Sequence, residues 1–166
     1  MLTQTSETAI KALIYLALYG QEEPVPPREI AEQIDASPTY MAKITRMLVK
    51  ANILRSQRGS LGGVKFSRDP DNITLLNVVE ACQGLMIGNY CDSIEDHPDP
   101  VCAFHQAMME IHQATMSVLL RWTIGDLARR PVPAGGGVNC KINIPFPEGC
   151  NGKGCAAGEK KKSGVE

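Results

Sequence analysis

Residues 27–50 constrain this chain most, because they read as two short helices with only Asp35-Ala36 between them. The first, over 28–34, follows a Pro pair and sets Ile30, Ala31 and Ile34 on one face. Ser37-Pro38 opens the second. Ser is a favoured N-cap, and Pro at the first helical position gives up no needed donor. At about 100° per residue, Met41, Ile44 and Leu48 gather on one side and are expected in the core. Thr39, Lys43, Arg46 and Lys50 fall within about 40° of one another on the opposite side. A helix of this kind suits a DNA major groove, with Ser37, Thr39 and Tyr40 near base edges and Lys43, Arg46 and Lys50 at phosphates. An ordinary amphipathic surface helix shows the same pattern, so these residues alone leave both readings open.

The next segment separates them. Residues 53–58 and 64–67 read as two strands, and the loop 59–63 carries three glycines that allow positive φ. Two helices followed by a Gly-tipped hairpin make a winged helix-turn-helix, with Arg58 and Gly59 at the wing tip. There Arg58 would enter a minor groove or grip a phosphate. From residue 27 to 68 there are eight Lys/Arg (28, 43, 46, 50, 55, 58, 65, 68) against three acids (29, 32, 35), a net of +5, whereas the whole chain is −1. Basic charge confined to one segment is the electrostatic footprint of a DNA-binding module. The expected DNA-facing set is Arg28, Ser37, Thr39, Tyr40, Lys43, Arg46, Lys50, Arg58 and Gly59.

With 166 residues, the chain has the size of one domain plus a tail. No run approaches about 18 apolar residues, so no membrane span is expected. The N-terminus shows neither a basic region nor a cleavage signal, and a cytoplasmic location is expected. Six Cys in such a chain point to metal or redox chemistry more than to disulfides.

In chain order, Thr5 or Ser6 is expected to cap a first helix that stops at Gly20. Glu7 lies in its first turn, where the helix dipole favours a carboxylate. Thr74 is expected to cap a helix over 75–82 that halts at Gly84, with Cys82 as a small buried hydrophobe. An acidic stretch over 91–102 precedes a long helix over 103–122. Its Phe104, Met108, Ile111, Val118 and Trp122 form a stripe that either dimerises on a symmetry mate or joins the core of its own chain; the dimer is the favoured reading. Thr123 caps a last short helix over 124–129, with Asp126 at its third position. From 131 onward, twelve of 36 residues are Gly or Pro, and the segment is expected to be flexible. It holds Cys140, Cys150 and Cys155, either as bystanders or as an accessory metal or redox site. The expected fold is mainly α with a small β-hairpin: a winged helix-turn-helix domain over 1–84, a Cys-containing loop over 85–102, a dimerisation helix and short C-terminal helix over 103–130, and a tail over 131–166.

Cys91 and Cys102 flank the acidic loop, His97 lies between them, and His105 falls one helical turn after Cys102 at the start of the long helix. The positive end of that helix would steady a negatively charged cluster, and Cys with His can hold zinc or iron–sulfur. Read as a nucleophile and base, Cys102 and His105 lack an evident third group, and an enzyme is not expected.

The set of segments over 9–13, 30–41, 58–63, 73–81 and 123–127 resembles the IscR/NsrR/CymR family of regulators, often called Rrf-two. The resemblance covers roughly residues 1–130. It implies a dimeric winged-helix transcriptional regulator that binds double-stranded DNA and often carries an iron–sulfur cluster on the Cys-bearing loop. By the same resemblance, Cys91 matches the first cluster cysteine and Cys102 the last, and His105 sits at the Cys-x2-His position that supplies a ligand in the IscR branch. Glu7 falls where other branches offer a carboxylate from the N-terminal helix of the partner subunit. The family's middle cysteine is absent, and His97 is the nearest donor. These matches imply a 2Fe–2S cluster in preference to 4Fe–4S, held by Cys91, Cys102, one His and one more ligand, Glu7 or the second His. The alternative is a cluster-free regulator of the same family that senses by thiol oxidation, zinc or a partner protein.

Overall fold

The structure, a computed structural model, describes residues 2–20, 23–59, 62–84 and 102–129. Helix α1 (Gln4–Tyr19) runs through the middle of the core, with Ala9, Leu13 and Leu16 almost fully buried. Its N-cap is Thr3, whose Oγ1 accepts from the Ser6 amide at 3.3 Å. The helix therefore starts two to three residues earlier than the expected cap, Thr5 or Ser6, and Ser6 is itself buried.

Helix α2 (Pro27–Gln33) buries Ile30 and Ala31, and α3 (Pro38–Lys50) buries Met41, Ile44, Thr45 and Leu48. Ser37 caps α3 as expected, accepting from the Tyr40 amide at 3.2 Å. Between the two helices, Asp35 takes φ +53°, a left-handed conformation that Asp tolerates better than most residues.

The wing is an antiparallel pair, β1 (Leu54–Gln57) and β2 (Gly63–Phe66), registered Leu54 to Phe66 and Gln57 to Gly63. β1 is shorter than the expected 53–58, and β2 has the expected length but starts one residue earlier than 64–67. The Ile53 amide instead bonds back to Leu48 at 3.0 Å, closing the turn after α3. Val25 pairs with Val64 through two backbone bonds of 3.0 and 2.9 Å, so the proline-rich connection edges the wing. Gly63 is required there: a Cβ would lie 2.5 Å from the Val25 carbonyl.

A 3-10 turn (Pro70–Asn72) leads to α4 (Leu75–Gln83), whose start is a capping box between Thr74 and Asn77. Helix α5 (Ala103–Arg121) ends one residue before the expected Trp122. Trp122 is extended, and its carbonyl accepts from the Leu75 amide at 2.9 Å. Helix α6 (Ile124–Arg129) opens on a reciprocal pair, Thr123 amide to Asp126 Oδ2 at 3.2 Å and Asp126 amide to Thr123 Oγ1 at 3.0 Å. It packs on α1, and Ile124 is fully buried. The architecture is mainly α with one small hairpin, as the sequence suggests. Among the described residues, no helix is long and apolar enough to cross a membrane.

Candidate nucleic-acid interface and the cysteine-bearing helix

The spacing of α3 divides it as expected. Met41, Ile44 and Leu48 are fully buried, while Thr39, Lys43, Arg46 and Lys50 are all exposed. The one polar residue buried on this helix, Thr45, is satisfied by its own turn, donating to the Met41 carbonyl at 3.0 Å. Arg58 is exposed directly after β1. An open groove runs between α3 and the wing, walled by Ala42, Arg46 and Val49 on one side and Gln57, Arg58 and Gly62 on the other. One cation from each element thus flanks the same groove.

The charges on this face are uncompensated. Among the described residues the ion pairs are Arg28–Glu32, Arg129–Asp71 and Arg129–Asp126, so Lys43, Arg46, Lys50 and Arg58 have no ion-pair partner there. Arg28 differs: its Nε meets Glu32 Oε1 at 3.0 Å, so an acid on the same helix partly offsets its charge at the module's edge. Ser37 is exposed and already spends one lone pair on the Tyr40 amide. Tyr40 is half-buried, packs against the core, and its hydroxyl donates to Thr5 Oγ1 at 2.9 Å. Its hydroxyl therefore serves the α1–α3 contact.

Two further cations count toward the basic charge of the segment but are absent from the expected DNA-facing set. Arg55 and Lys65 stand directly opposite each other across the hairpin, a like-charge pair that costs stability unless an anion lies nearby. The signal is the register itself, which the strand pattern alone does not fix.

The second cluster of candidates lies at the N-terminal end of α5. Cys102 occupies the N-cap position, is exposed, and makes no side-chain cap bond. His105, one turn on, is 6% exposed. Glu7 is exposed on the first turn of α1. Cys91 and His97 fall outside the described residues. Among the described residues, no three of His, Cys, Asp or Glu stand together as a metal-holding group. Cys82 is half-buried on the inner side of α4, and burial pushes its thiol up against a smaller opposing effect of the Ser6 hydroxyl. That fits a packing role.

Helix α5 makes its packing contacts on α4, where Leu119 meets Leu76 and Val79. Of the expected stripe, Phe104 is 65%, Ile111 57% and Val118 43% exposed, while Met108 and Trp122 are half-buried. These three side chains follow one face of a helix with nothing described against them.

The sequence matches the family model described as "Rrf2: Iron-dependent Transcriptional regulator" over residues 2–130. The chain belongs to the Rrf2 family. Among solved structures it is similar to CymR, described as the global cysteine regulator of B. subtilis, at 25% identity and a TM-score of 0.65, covering 77% of this chain and 95% of that one. It shares its fold with T. potens IscR, at 21% identity and a TM-score of 0.63 over 76% of this chain and 84% of that one. The oxidised form of Staphylococcus aureus CymR gives 23% identity and a TM-score of 0.62, covering 77% and 95%. This Rrf2 chain is therefore a transcriptional regulator.

Proposed function

We propose that this Rrf2-family regulator binds double-stranded DNA as a homodimer, with α3 in the major groove and the wing along the adjacent backbone. The observation that carries the reading is the row Thr39, Lys43, Arg46 and Lys50, exposed together on α3 and without ion pairs among the described residues. Ser37 and Thr39, at the start of the helix, are placed for base edges; the three cations follow for phosphates. Arg58 and Gly59 extend the contact to the wing. Dimerisation is supported by the open Phe104, Ile111 and Val118 on α5, because a regulator reading a two-fold site uses two copies of α3.

The sensing element in this reading is an iron–sulfur cluster, with 2Fe–2S preferred, on Cys91, Cys102 and His105, completed by Glu7 or His97. What supports it is the donor chemistry of Cys102 and His105, a cysteine sulfur and an imidazole one turn apart at a helix N-terminus, together with a family described as iron-dependent. A bound cluster would supply a centre responsive to redox state, nitric oxide or iron–sulfur status. The chain's own residues would hold it and couple it to the helices they stand on. A second reading is favoured by the exposure of Cys102 and by the likeness to CymR: direct oxidation of the thiol, with no cluster. Anaerobic purification separates the two. Red-brown protein with iron and acid-labile sulfide, bleached by Cys91→Ala or Cys102→Ala but not by Cys82→Ala, supports the cluster. Colourless protein without sulfide removes it.

A further inference from the structure

The first turn of α1 is held by side chains from two other elements. On one side, Gln83 Oε1, at the last residue of α4, accepts from the Ser6 hydroxyl at 2.7 Å and from the Thr3 amide at 2.8 Å. Ser6 is fully buried, so its hydroxyl has no water to fall back on. On the other side, Thr5 Oγ1 accepts from the Tyr40 hydroxyl at 2.9 Å, and Tyr40 is in the first turn of the recognition helix α3. Thr3, Thr5 and Ser6 thus share one helical turn, gripped by α4 at its back and by α3 at its front.

We propose that Thr5 and Gln83 are positioning residues for the recognition helix. The first turn of α1 passes the placement of the C-terminal end of α4 to the N-terminal end of α3. The proposal rests on the DNA-binding reading and adds its internal control. Tyr40 belongs to this chain of contacts: its ring packs on the core and its hydroxyl fixes where Ser37 and Thr39 stand. The route matters because α4 ends at Gly84, with φ +86°, and the segment that carries Cys91 begins there. A pull on that segment acts on Gln83 within two residues. A lost Gln83 bond leaves the buried Ser6 hydroxyl and the Thr3 amide competing for other acceptors, which lets the turn rotate and carries Thr5 away from Tyr40.

The test compares wild type with Tyr40→Phe, Thr5→Val, Gln83→Leu and the double variants, each full-length and purified under nitrogen. Two measurements are made: affinity for a duplex selected from a random pool by wild type, against an unselected duplex, and amide hydrogen exchange without DNA. Each single variant is expected to lower affinity for the selected duplex about threefold to tenfold, the range of one net hydrogen bond. Affinity for the unselected duplex and the salt slope should stay as in wild type, which a general loss of folding would not permit. Gln83→Leu combined with Tyr40→Phe should be no worse than the worse single change, since both break one path. Gln83→Glu keeps an acceptor for both donors and should restore most of the affinity. In exchange, Gln83→Leu should speed the amides of the first turn of α3, a readout that does not depend on DNA. Additive losses in the double variant, or α3 amides untouched by Gln83→Leu, would overturn the proposal. Wild type that selects no duplex would overturn the DNA-binding reading alone, because the exchange result still decides the coupling.

Discussion

Replacing Lys43 by Ala tests the interface on the exposed face of α3. The side chain lies on the outer face of α3, has no ion pair among the described residues, and takes no part in the core. Its removal should therefore leave thermal stability within about 0.5 kcal/mol of wild type. The effect belongs to DNA. Each phosphate contact contributes roughly 0.9 to the slope of log affinity against log salt, and a dimer loses two contacts at once, so the slope should flatten by about 1.8. Between about 50 and 200 mM salt, that change corresponds to roughly a twelvefold smaller loss of affinity than wild type suffers. Specific and unselected duplexes should respond alike, because a phosphate contact carries no sequence information. Arg28→Ala is the control: its guanidinium is already paired with Glu32, so its slope change should be smaller. Fluorescence anisotropy on a labelled duplex across a salt series measures all of this. A slope unchanged by Lys43→Ala would refute the assignment of this face to the backbone.

Arg58→Ala is expected to cost about 1–3 kcal/mol of binding, more on a site with a narrow A·T minor groove; footprints and affinities equal to wild type would exclude a wing contact. Gly125→Ala should destabilise the fold by roughly 1–3 kcal/mol in denaturant titration, because a Cβ there collides with the Asp71 carboxylate that holds Arg129. Arg129→Ala should cost less, since both members of its ion pair with Asp71 are about half exposed; the reverse order would show that the pair, and not the close approach, docks α6. The Thr123 hydroxyl and amide hold Asp126 below the usual carboxylate range, with Arg129 adding to the effect. A carboxyl depressed in the folded state stabilises above its unfolded value and loses that contribution as pH falls through the folded one, so wild type should lose stability below about pH 4 more steeply than Asp126→Asn.

The recognition helix was legible because its signal is local. Met41, Ile44 and Leu48 repeat at helical spacing, Ser37-Pro38 marks the start, and the structure buries and caps these residues as the spacing demands. The wing was legible for a similar reason, through Gly59 and Gly62 in the loop and Gly63 at the first position of β2. What the sequence hid was decided at long range. Thr3, Thr5 and Ser6 are all good caps, and nothing nearby chooses among them; Gln83, eighty positions away, takes the Thr3 amide and the Ser6 hydroxyl and sets the start of α1. Tyr40 reads as part of the DNA face from its position in α3, yet its hydroxyl reaches Thr5 in another helix. Trp122 continues the apolar stripe on paper, but its carbonyl is claimed by Leu75 and the helix stops before it. The stripe of α5 was visible as a period, but the residue buried against α4 is Leu119, outside that stripe, while Phe104, Ile111 and Val118 stay open; this depends on where α4 lies. Of the metal candidates, Cys102 and His105 are placed on one turn, Glu7 stands on α1, and Cys91 and His97 lie outside the described residues.

Helix α5 links the two halves of the proposed mechanism unevenly. Nineteen residues at about 1.5 Å each separate its ends by roughly 28 Å. The C-terminal end is pinned to the DNA module through backbone: the Leu75 amide to the Trp122 carbonyl at 2.9 Å, the Ile124 amide to the Ile73 carbonyl at 2.9 Å, and the bridge between Thr74 and Thr123. Ile73 and Ile124 are fully buried beside these bonds, so separating that joint exposes core. At the N-terminal end, Cys102 is exposed and His105 is buried. A change there acts roughly 28 Å from a joint held by backbone bonds and buried side chains, and such a joint transmits little. The clasp of Gln83 on Thr3 and Ser6 is softer, two hydrogen bonds worth about 0.5–1.5 kcal/mol net each, with no backbone bridge to break. The clasp should therefore yield first when the segment between α4 and α5 is pulled, and it leads by way of Thr5 to Tyr40 and the start of α3. On this account, hydrogen exchange should report a change in cysteine state earlier at the first turn of α1 than at Thr74 and Thr123. If the Thr74–Thr123 joint opens first, the signal travels along α5, and the clasp is a bystander.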